Sequence, residues 1–145
     1  MIDVRELRVG NIVLVEEWEY NFKARPITHC VVSTTETEVD SIHEDGINQY
    51  LPCEDAPQYV DYNRIFGIPL SPEILERLNA KKQLRYECAY IGNIWVQWYD
   101  DTQKRVWINS NYVGIIHLEF VHELQNLFYT FNQVELSLTN TELSK

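Results

Sequence analysis

The run 121–132 restricts the fold most, because it has the period of a helix and follows a series of short β-like runs. Its apolar residues recur at i, i+3, i+7 and i+10, the spacing that gathers side chains on one face of a helix. They are Val121, Leu124, Phe128 and Phe131. A flank beside this stripe carries His122, Gln125, Asn126 and Tyr129. We predict a helix over 119–132 that packs on a core and presents this flank to a ligand or partner.

The runs before this helix are rich in aromatic and β-branched residues, and each break between them contains Gly, Asp or Asn, which indicates strands joined by tight turns. They span 84–91, 94–99, 105–109 and 112–118. Upstream, Ser71 as N-cap and Pro72 at the first helical position predict a short helix over 72–80. Residues 67–145 are thus predicted to form an α+β lobe: a helix, an antiparallel four-stranded meander and a C-terminal helix. Leu136 and Leu138 are assigned to a last short strand.

The first half of the chain, 1–66, has a different pattern. Gly10 and Asn11 predict a turn that leads into a first strand over 12–15. The runs 27–33 and 36–42 predict a hairpin that turns at Thr34 and Thr35, and 44–64 predicts loops with at most two short strands. Short strands at this spacing indicate an SH3-like β lobe, which shares one continuous domain with 67–145 or stands as a separate lobe.

The charge of the chain is concentrated in that first half. The 145 residues carry a net charge of −10. Residues 1–66 hold 13 Asp and Glu against 5 Lys and Arg, whereas 67–145 hold 9 against 7. An acidic surface repels phosphate, so direct nucleic-acid binding is disfavoured, although a surface of this kind can also mimic DNA. No apolar run approaches the roughly 20 residues that span a bilayer, and three cysteines cannot all pair, so we expect a cytoplasmic protein that binds no membrane.

The sequence lacks the common motifs of enzyme active sites. Its five glycines form neither a P-loop nor a dinucleotide-binding turn, and no serine lies in a Gly-x-Ser-x-Gly elbow. The spacing of His117, Glu119 and His122 does not fit a zinc motif. We therefore predict no catalytic residue, no metal and no cofactor. A hydrolase built on His122 and Glu119 is the remaining catalytic alternative.

Aromatic residues of the predicted meander are candidates for binding: Trp95, Trp98, Tyr99 and Trp107. Within one strand, alternation places Trp95 on the face opposite Trp98, so both rings cannot face the core. An exposed ring on a sheet can stack a nucleobase or anchor a protein partner. Lys81, Lys82 and Arg85 form a local basic patch that can meet a phosphate.

Three blocks of the chain occur in the order seen in one family. They are LRVGN at 7–11, IPLSPEIL at 68–75, and VHELQNLFY at 121–129 followed by Glu135 and Leu136. The chain resembles a family of small uncharacterised proteins of bacteria and their phages, with LRIGN, PIPLTEEIL and HQLQNLYF blocks. The resemblance implies a mobile-element protein without an assigned activity, and it carries over no catalytic residue.

Two hypotheses of function follow. In the first, the chain is a phage or mobile-element accessory protein that binds and inhibits a host protein of the defence type, through the aromatic residues, the helix flank or an acidic DNA-mimicking surface. In the second, it sequesters a nucleotide signal, with Trp95 or Trp98 stacking the base and the basic patch meeting the phosphate. A homo-oligomer is compatible with both.

Overall fold

The computed structural model of the chain describes residues 2, 4–49, 58–78, 80–83 and 88–138. It divides into two compact units, Met1–Ile68 (unit 1) and Pro69–Lys145 (unit 2). The fold is mixed and mostly β, with one antiparallel sheet in each unit. In the described part of the chain, no helix is long and apolar enough to cross a membrane.

Unit 1 contains a five-stranded sheet in the order β4-β3-β2-β1-β5. Its strands are β1 Ile12–Asn21, β2 Thr28–Ile42, β3 Gly46–Gln49, β4 Gln58–Asp61 and β5 Ile65–Phe66. Short 3₁₀ helices precede β1 at Val4–Glu6 and β5 at Tyr62–Arg64. The sequence predicts at most two short strands within 44–64, and β3 and β4 lie in this range.

The Gly-Asn turn before β1 forms as predicted. Gly10 has a φ of 92°, a left-handed conformation that glycine adopts without a steric penalty. The amide of Arg8 donates to Oδ1 of the buried Asn11 at 2.7 Å, and the amide of Gly10 donates to the carbonyl of Val39 at 2.9 Å. The first bond closes the turn and the second joins it to β2, so the start of β1 is held by side-chain and backbone contacts together.

β2 is one strand of 15 residues, which corrects the predicted hairpin at Thr34 and Thr35. Thr34 pairs with Glu16 and Thr35 with Val15, so the chain runs straight through the expected turn. The physical reason is that threonine is β-branched and favours extended backbone, whereas a two-residue hairpin turn needs residues that tolerate positive φ.

The core of unit 1 lies at only one end of the long β1–β2 pair. Its members are Ile2, Leu7, Val13, Val15, Val39, Ile47, Val60 and Ile65. Beyond Glu16 the two strands continue as a ribbon in which all residues of 28–36 are exposed. We call the segment 17–33 the arm: the outer part of β1, the connection 22–27 and the outer part of β2.

Unit 2 contains a second five-stranded sheet, in the order β10-β9-β8-β7-β6. Its strands are β6 Lys81–Gln83, β7 Cys88–Ile91, β8 Ile94–Trp98, β9 Gln103–Ile108 and β10 Asn111–His117. Four of these correspond to the predicted meander. The fifth, β6, was not predicted, because its residues are charged or polar and lack the aromatic and branched side chains that marked the others. Residues 84–87, predicted as part of the first strand, lie outside the described residues.

The two helices of unit 2 are α1 Pro72–Arg77 and α2 Val121–Asn132. Ser71 caps α1 as predicted, its Oγ accepting from the amide of Ile74 at 3.2 Å. The helix ends at Arg77, earlier than expected, and the amide of Ala80 donates back to the carbonyl of Leu75 at 3.0 Å. At α2, Oε2 of Glu123 accepts from the amides of Glu119 and Phe120 at 2.6 and 3.0 Å, which satisfies donors of the helix start.

One face of this sheet and one face of α2 form the core of unit 2. Val121 and Leu124 of the predicted stripe are fully buried and Phe128 is half-buried, but Phe131 is 51% exposed, because the stripe passes beyond the core at the end of the helix. The predicted strand at Leu136 and Leu138 does not form. Leu136 instead packs on the core as irregular chain.

Candidate binding site

Strand alternation in unit 2 separates two sets of side chains. Ile94, Val96 and Val106 point to the core. The intervening residues of the same strands lie on the opposite side of the sheet, which we call the aromatic face. As predicted, Trp95 and Trp98 take opposite sides: Trp95 lies on the aromatic face, whereas Trp98 packs against the core.

Four rings form a continuous row across the aromatic face, one from each of β7, β8, β9 and β10. We call Tyr90, Trp95, Trp107 and Tyr112 the aromatic row. Successive ring centroids are 4.9, 5.0 and 5.2 Å apart, with interplanar angles of 26°, 33° and 50°. These separations lie in the range favoured by aromatic pairs. The pairing of the strands produces the row, because Tyr90 is opposite Trp95, Trp95 opposite Trp107 and Trp107 opposite Tyr112.

The row becomes accessible towards β10, the edge strand of the sheet. Tyr90, Trp95 and Trp107 are half-buried, whereas Tyr112 is 56% exposed. Val113 and Ile115 beside it are also exposed. A bulge between Tyr112 and Gly114, where Gly114 has a φ of 137°, interrupts the register of β10 with β9. A bulged edge strand resists pairing with a further strand, so this edge offers side chains rather than backbone to a partner.

Polar groups flank the row on the same face. Gln97 and Arg105 are opposite each other on β8 and β9. The guanidinium of Arg105 lies 5.4 Å from the ring centroid of Tyr99, a cation–π distance, and Tyr99 is itself exposed. The face therefore combines a row of rings with the guanidinium of Arg105.

On the core side, Trp98 contacts an unexpected buried lysine. Lys104 is 1% exposed, and its Nζ lies 4.9 Å from the Trp98 ring centroid. That ammonium donates to the backbone carbonyls of Asp100 and Asp101, each at 3.1 Å. Burial lowers the pKa of Lys104, and nearby carboxylates of Asp100, Asp101, Glu119 and Glu123 oppose the shift. Lys104 thus closes the turn between β8 and β9.

A histidine that the sequence analysis set aside joins two carboxylates at the start of α2. Nδ1 of His117 lies 3.0 Å from Oε1 of Glu123, and Nε2 lies 3.5 Å from Oε2 of Glu119. Glu119, which the hydrolase alternative paired with His122, is therefore paired with His117. His122 is fully buried and stacks on Phe120 at 5.7 Å.

The predicted binding flank of α2 requires a correction. His122 and Gln125 are 0% and 1% exposed, so they are core residues rather than surface contacts. Nε2 of Gln125 donates to the carbonyl of Leu136 at 2.7 Å, and this bond makes the burial of the amide tolerable. Asn126 and Tyr129 are half-buried. The flank is therefore not a docking surface as a whole.

The predicted basic patch is only partly described. Lys81 and Lys82 lie on β6, where their backbones pair with Tyr90 and Ala89. Arg85 lies outside the described residues. Of the predicted aromatic residues, Trp95 and Trp107 come together in the row, Tyr99 lies near it, and Trp98 is on the other side of the sheet.

Sequence reasoning omitted three residues of this region from the site: Tyr90, Tyr112 and Lys104. Both tyrosines follow from strand register, which sets the cross-strand neighbours of Trp95 and Trp107. Lys104 carried a weaker signal, since it is the charged member of an otherwise alternating apolar series with Val106 and Ile108.

Comparisons of the chain with protein-family models, with curated proteins and with solved structures found no match.

Proposed function

We propose that this chain is a non-catalytic binding protein that engages a host protein through the aromatic face of unit 2. The observation that carries the proposal is the aromatic row, which runs from half-buried Trp107 to exposed Tyr112 at the edge strand. Tryptophan, tyrosine and arginine dominate the energetics of protein interfaces, and Arg105 and Tyr99 lie beside the row. Rings already fixed by their neighbours lose little conformational entropy on binding.

The mobile-element origin is part of the same proposal and depends on the three sequence blocks. In unit 1, the block 7–11 forms the turn before β1. The block 68–75 includes the cap and start of α1, and the block 121–129 forms most of α2. These are positions where turn and capping chemistry decide local structure, so a family that keeps the fold keeps such blocks. We also propose that unit 1 is SH3-like. Its sheet of five antiparallel strands supports this interpretation.

An inhibitor of host defence in the cytoplasm fits this combination. The acidic first half adds a surface of the kind that mimics DNA, and the aromatic face supplies the apolar anchor. Acidic charge alone would give an association that salt abolishes, whereas ring contacts persist at high salt.

The test is a capture experiment in a bacterial host, followed by reconstitution. Tagged wild-type protein is compared with the double variant Trp107→Ala/Tyr112→Ser and with Phe131→Ser, a matched control that removes an exposed ring from α2 of the same unit. We expect one host polypeptide with the wild type and the control. Binding of the purified polypeptide should weaken by about 30-fold or more in the double variant. Equal affinity for all three proteins would refute the proposal.

A second candidate function, binding of a nucleotide signal, is favoured by one observation. Arg105 and Trp107 are two residues apart on β9 and share the aromatic face, so a ring and a cation stand together. Native mass spectrometry of gently purified protein distinguishes the two candidates. A retained mass of a few hundred daltons, lost in Trp107→Ala and Arg105→Gln, would support the nucleotide, whereas a bare chain that retains a polypeptide would support the first function.

A further inference from the structure

The arm of unit 1 exposes rings with no core behind them. Trp18 stacks on His29 with centroids 3.8 Å apart and an interplanar angle of 14°. The rings of Tyr20 and Trp18 are in a T-shaped arrangement with centroids 6.2 Å apart. The centroids of Phe22 and Tyr20 are 5.9 Å apart. Tyr20 is 48% and Phe22 68% exposed. The rings therefore form a connected apolar strip that leads along β1 to the end of the arm.

Charge is distributed along the arm with opposite signs at its two ends. Glu17 and Glu19 lie towards the sheet, and Oε2 of Glu17 accepts from Oγ of Ser33 at 3.0 Å. Lys23 and Arg25 lie in the connection at the far end. Nη1 of Arg25 donates to the carbonyls of Phe22 and Ala24 at 2.8 and 3.2 Å, which keeps the guanidinium there.

Among the described residues, β5 is the strand that pairs with the outer edge of β1. β5 pairs with β1 only at Leu14 and Val15. Past these two positions, no strand among the described residues pairs with that side of β1, and Glu17, Glu19, Tyr20 and Asn21 are exposed. A strand edge with unpaired backbone groups is a template for pairing with another strand.

We propose that the arm is a self-association element: two copies of this chain pair β1 with β1, antiparallel, about a twofold axis at Tyr20. In this register Tyr20 of one copy is opposite Tyr20 of the other. Phe22 and Lys23 lie in the turn that follows β1, so the turn of each copy lies beside Trp18 and Glu17 of the other copy, twice per dimer. Rings that meet rings and charges that meet opposite charges stabilise paired strands, and a twofold axis generates both sets of contacts from one arm.

The charge order of the arm selects a second copy over other occupants. An acidic end and a basic end separated by rings match their own antiparallel repeat, whereas a nucleic acid would meet the carboxylates of Glu17 and Glu19. The net charge of −10 opposes association at a distance. At about 0.15 M ionic strength the screening length is about 8 Å, so remote repulsion is reduced while contacting pairs keep their attraction.

The contact is small, because pairing along one strand edge buries less surface than a typical specific interface, which buries at least about 1,200 Å². We therefore expect weak association, with a dissociation constant on the order of 100 µM. Sedimentation equilibrium over a range of concentrations measures it. Glu17→Lys and Lys23→Glu each place like charges in both pairs and should weaken association by about tenfold. Glu44→Lys is the control for Glu17→Lys, since it makes the same change of charge at an exposed residue outside the arm.

Two rescue experiments make the test specific. The double variant Glu17→Lys/Lys23→Glu restores opposite charges in both pairs and should associate like the wild type. An equimolar mixture of the two single variants should form a heterodimer, because each pair in the mixed dimer again joins opposite charges. Circular dichroism confirms that each variant is folded. A wild type that stays monomeric to about 1 mM, or a dimer indifferent to the charge swaps, would overturn the proposal.

Self-association through the arm is independent of the aromatic row and of the proposed function. Trp107→Ala/Tyr112→Ser should therefore dimerise with the wild-type constant. Loss of dimerisation in that variant, together with no response to the arm variants, would place self-association on unit 2 and refute the role of the arm.

Discussion

The arm of unit 1 and the aromatic row of unit 2 are built from the same residue types and differ in what lies behind them. Three of the four strands that carry the row, β7, β8 and β9, have apolar residues such as Val96 and Val106 buried on their other side, and β10 has the partly buried Ile116 there. Burying a side chain of that kind is worth about 1.5–3 kcal/mol. The arm has no such layer, so its strands are held by cross-strand pairs of about 0.2–1 kcal/mol each. An aromatic strand is thus a rigid framework in one place and a weakly held extension in the other.

The largest expected effect comes from removing the layer behind the row. Leu124 of α2 is fully buried in the core of unit 2, and Leu124→Ala should lower the free energy of unfolding by about 2–5 kcal/mol through lost burial and a cavity. Phe131→Ala, on the same helix but exposed, should cost less than about 0.5 kcal/mol. Urea denaturation measures both. Similar costs for the two variants would mean that α2 does not supply the support that distinguishes the row.

The second prediction concerns local opening. Backbone amides of Trp18 and Glu19 in the arm should exchange with deuterium on the order of 100-fold faster than those of Val96 and Val106, because opening the arm exposes no core. Native-state hydrogen exchange followed by mass spectrometry gives the ratio. Equal protection in dilute solution, where self-association is absent, would show that the arm is as stable as the sheet of unit 2.

The third prediction tests the charge buried behind the row. Lys104→Met keeps an unbranched side chain and removes two hydrogen bonds to carbonyls. This loss is partly offset, because the variant buries no charge. We expect the free energy of unfolding at pH 7 to fall by about 1 kcal/mol.

The difference in stability between the wild type and Lys104→Met should depend on pH. Burial lowers the pKa of Lys104, so between the folded value and the unfolded value near 10.5 the unfolded chain holds more protons. Wild-type stability therefore gains from Lys104 as pH rises through that window, and its advantage over Lys104→Met should grow. Denaturation of both proteins from pH 7 to 10 measures the difference, in which tyrosine titration cancels. A constant difference would contradict the lowered pKa of Lys104 in the folded protein.

Much of unit 2 could be predicted from local sequence, since Ser71 and Pro72 set the start of α1 and alternation placed Trp95 opposite Trp98. The misses have a common cause, which is dependence on partners distant in sequence. Gln125 looked like a surface amide because its hydrogen-bond acceptor, the carbonyl of Leu136, cannot be identified from the period of one helix. The row needed strand register for its two tyrosines. In unit 1, β propensity does not tell whether a core lies behind a strand, so an exposed arm was not expected.

The sharpest comparison comes from replacing one tryptophan in the row and one in the arm, and the arm variant has the smallest expected effect on global stability. Trp107→Ala removes a half-buried ring that contacts Trp95 and Tyr112, and should cost about 1–3 kcal/mol in the free energy of unfolding. Trp18→Ala removes a ring whose stacked neighbour is His29 on an exposed ribbon, so global unfolding should change by less than about 0.5 kcal/mol. Its effect should instead appear locally, as faster exchange of the amides of His29 and Cys30 while those of Val96 stay unchanged. A Trp18→Ala variant as destabilised as Trp107→Ala would mean that the arm and the sheet unfold together, and that burial behind a strand is not what separates the two uses of aromatic residues.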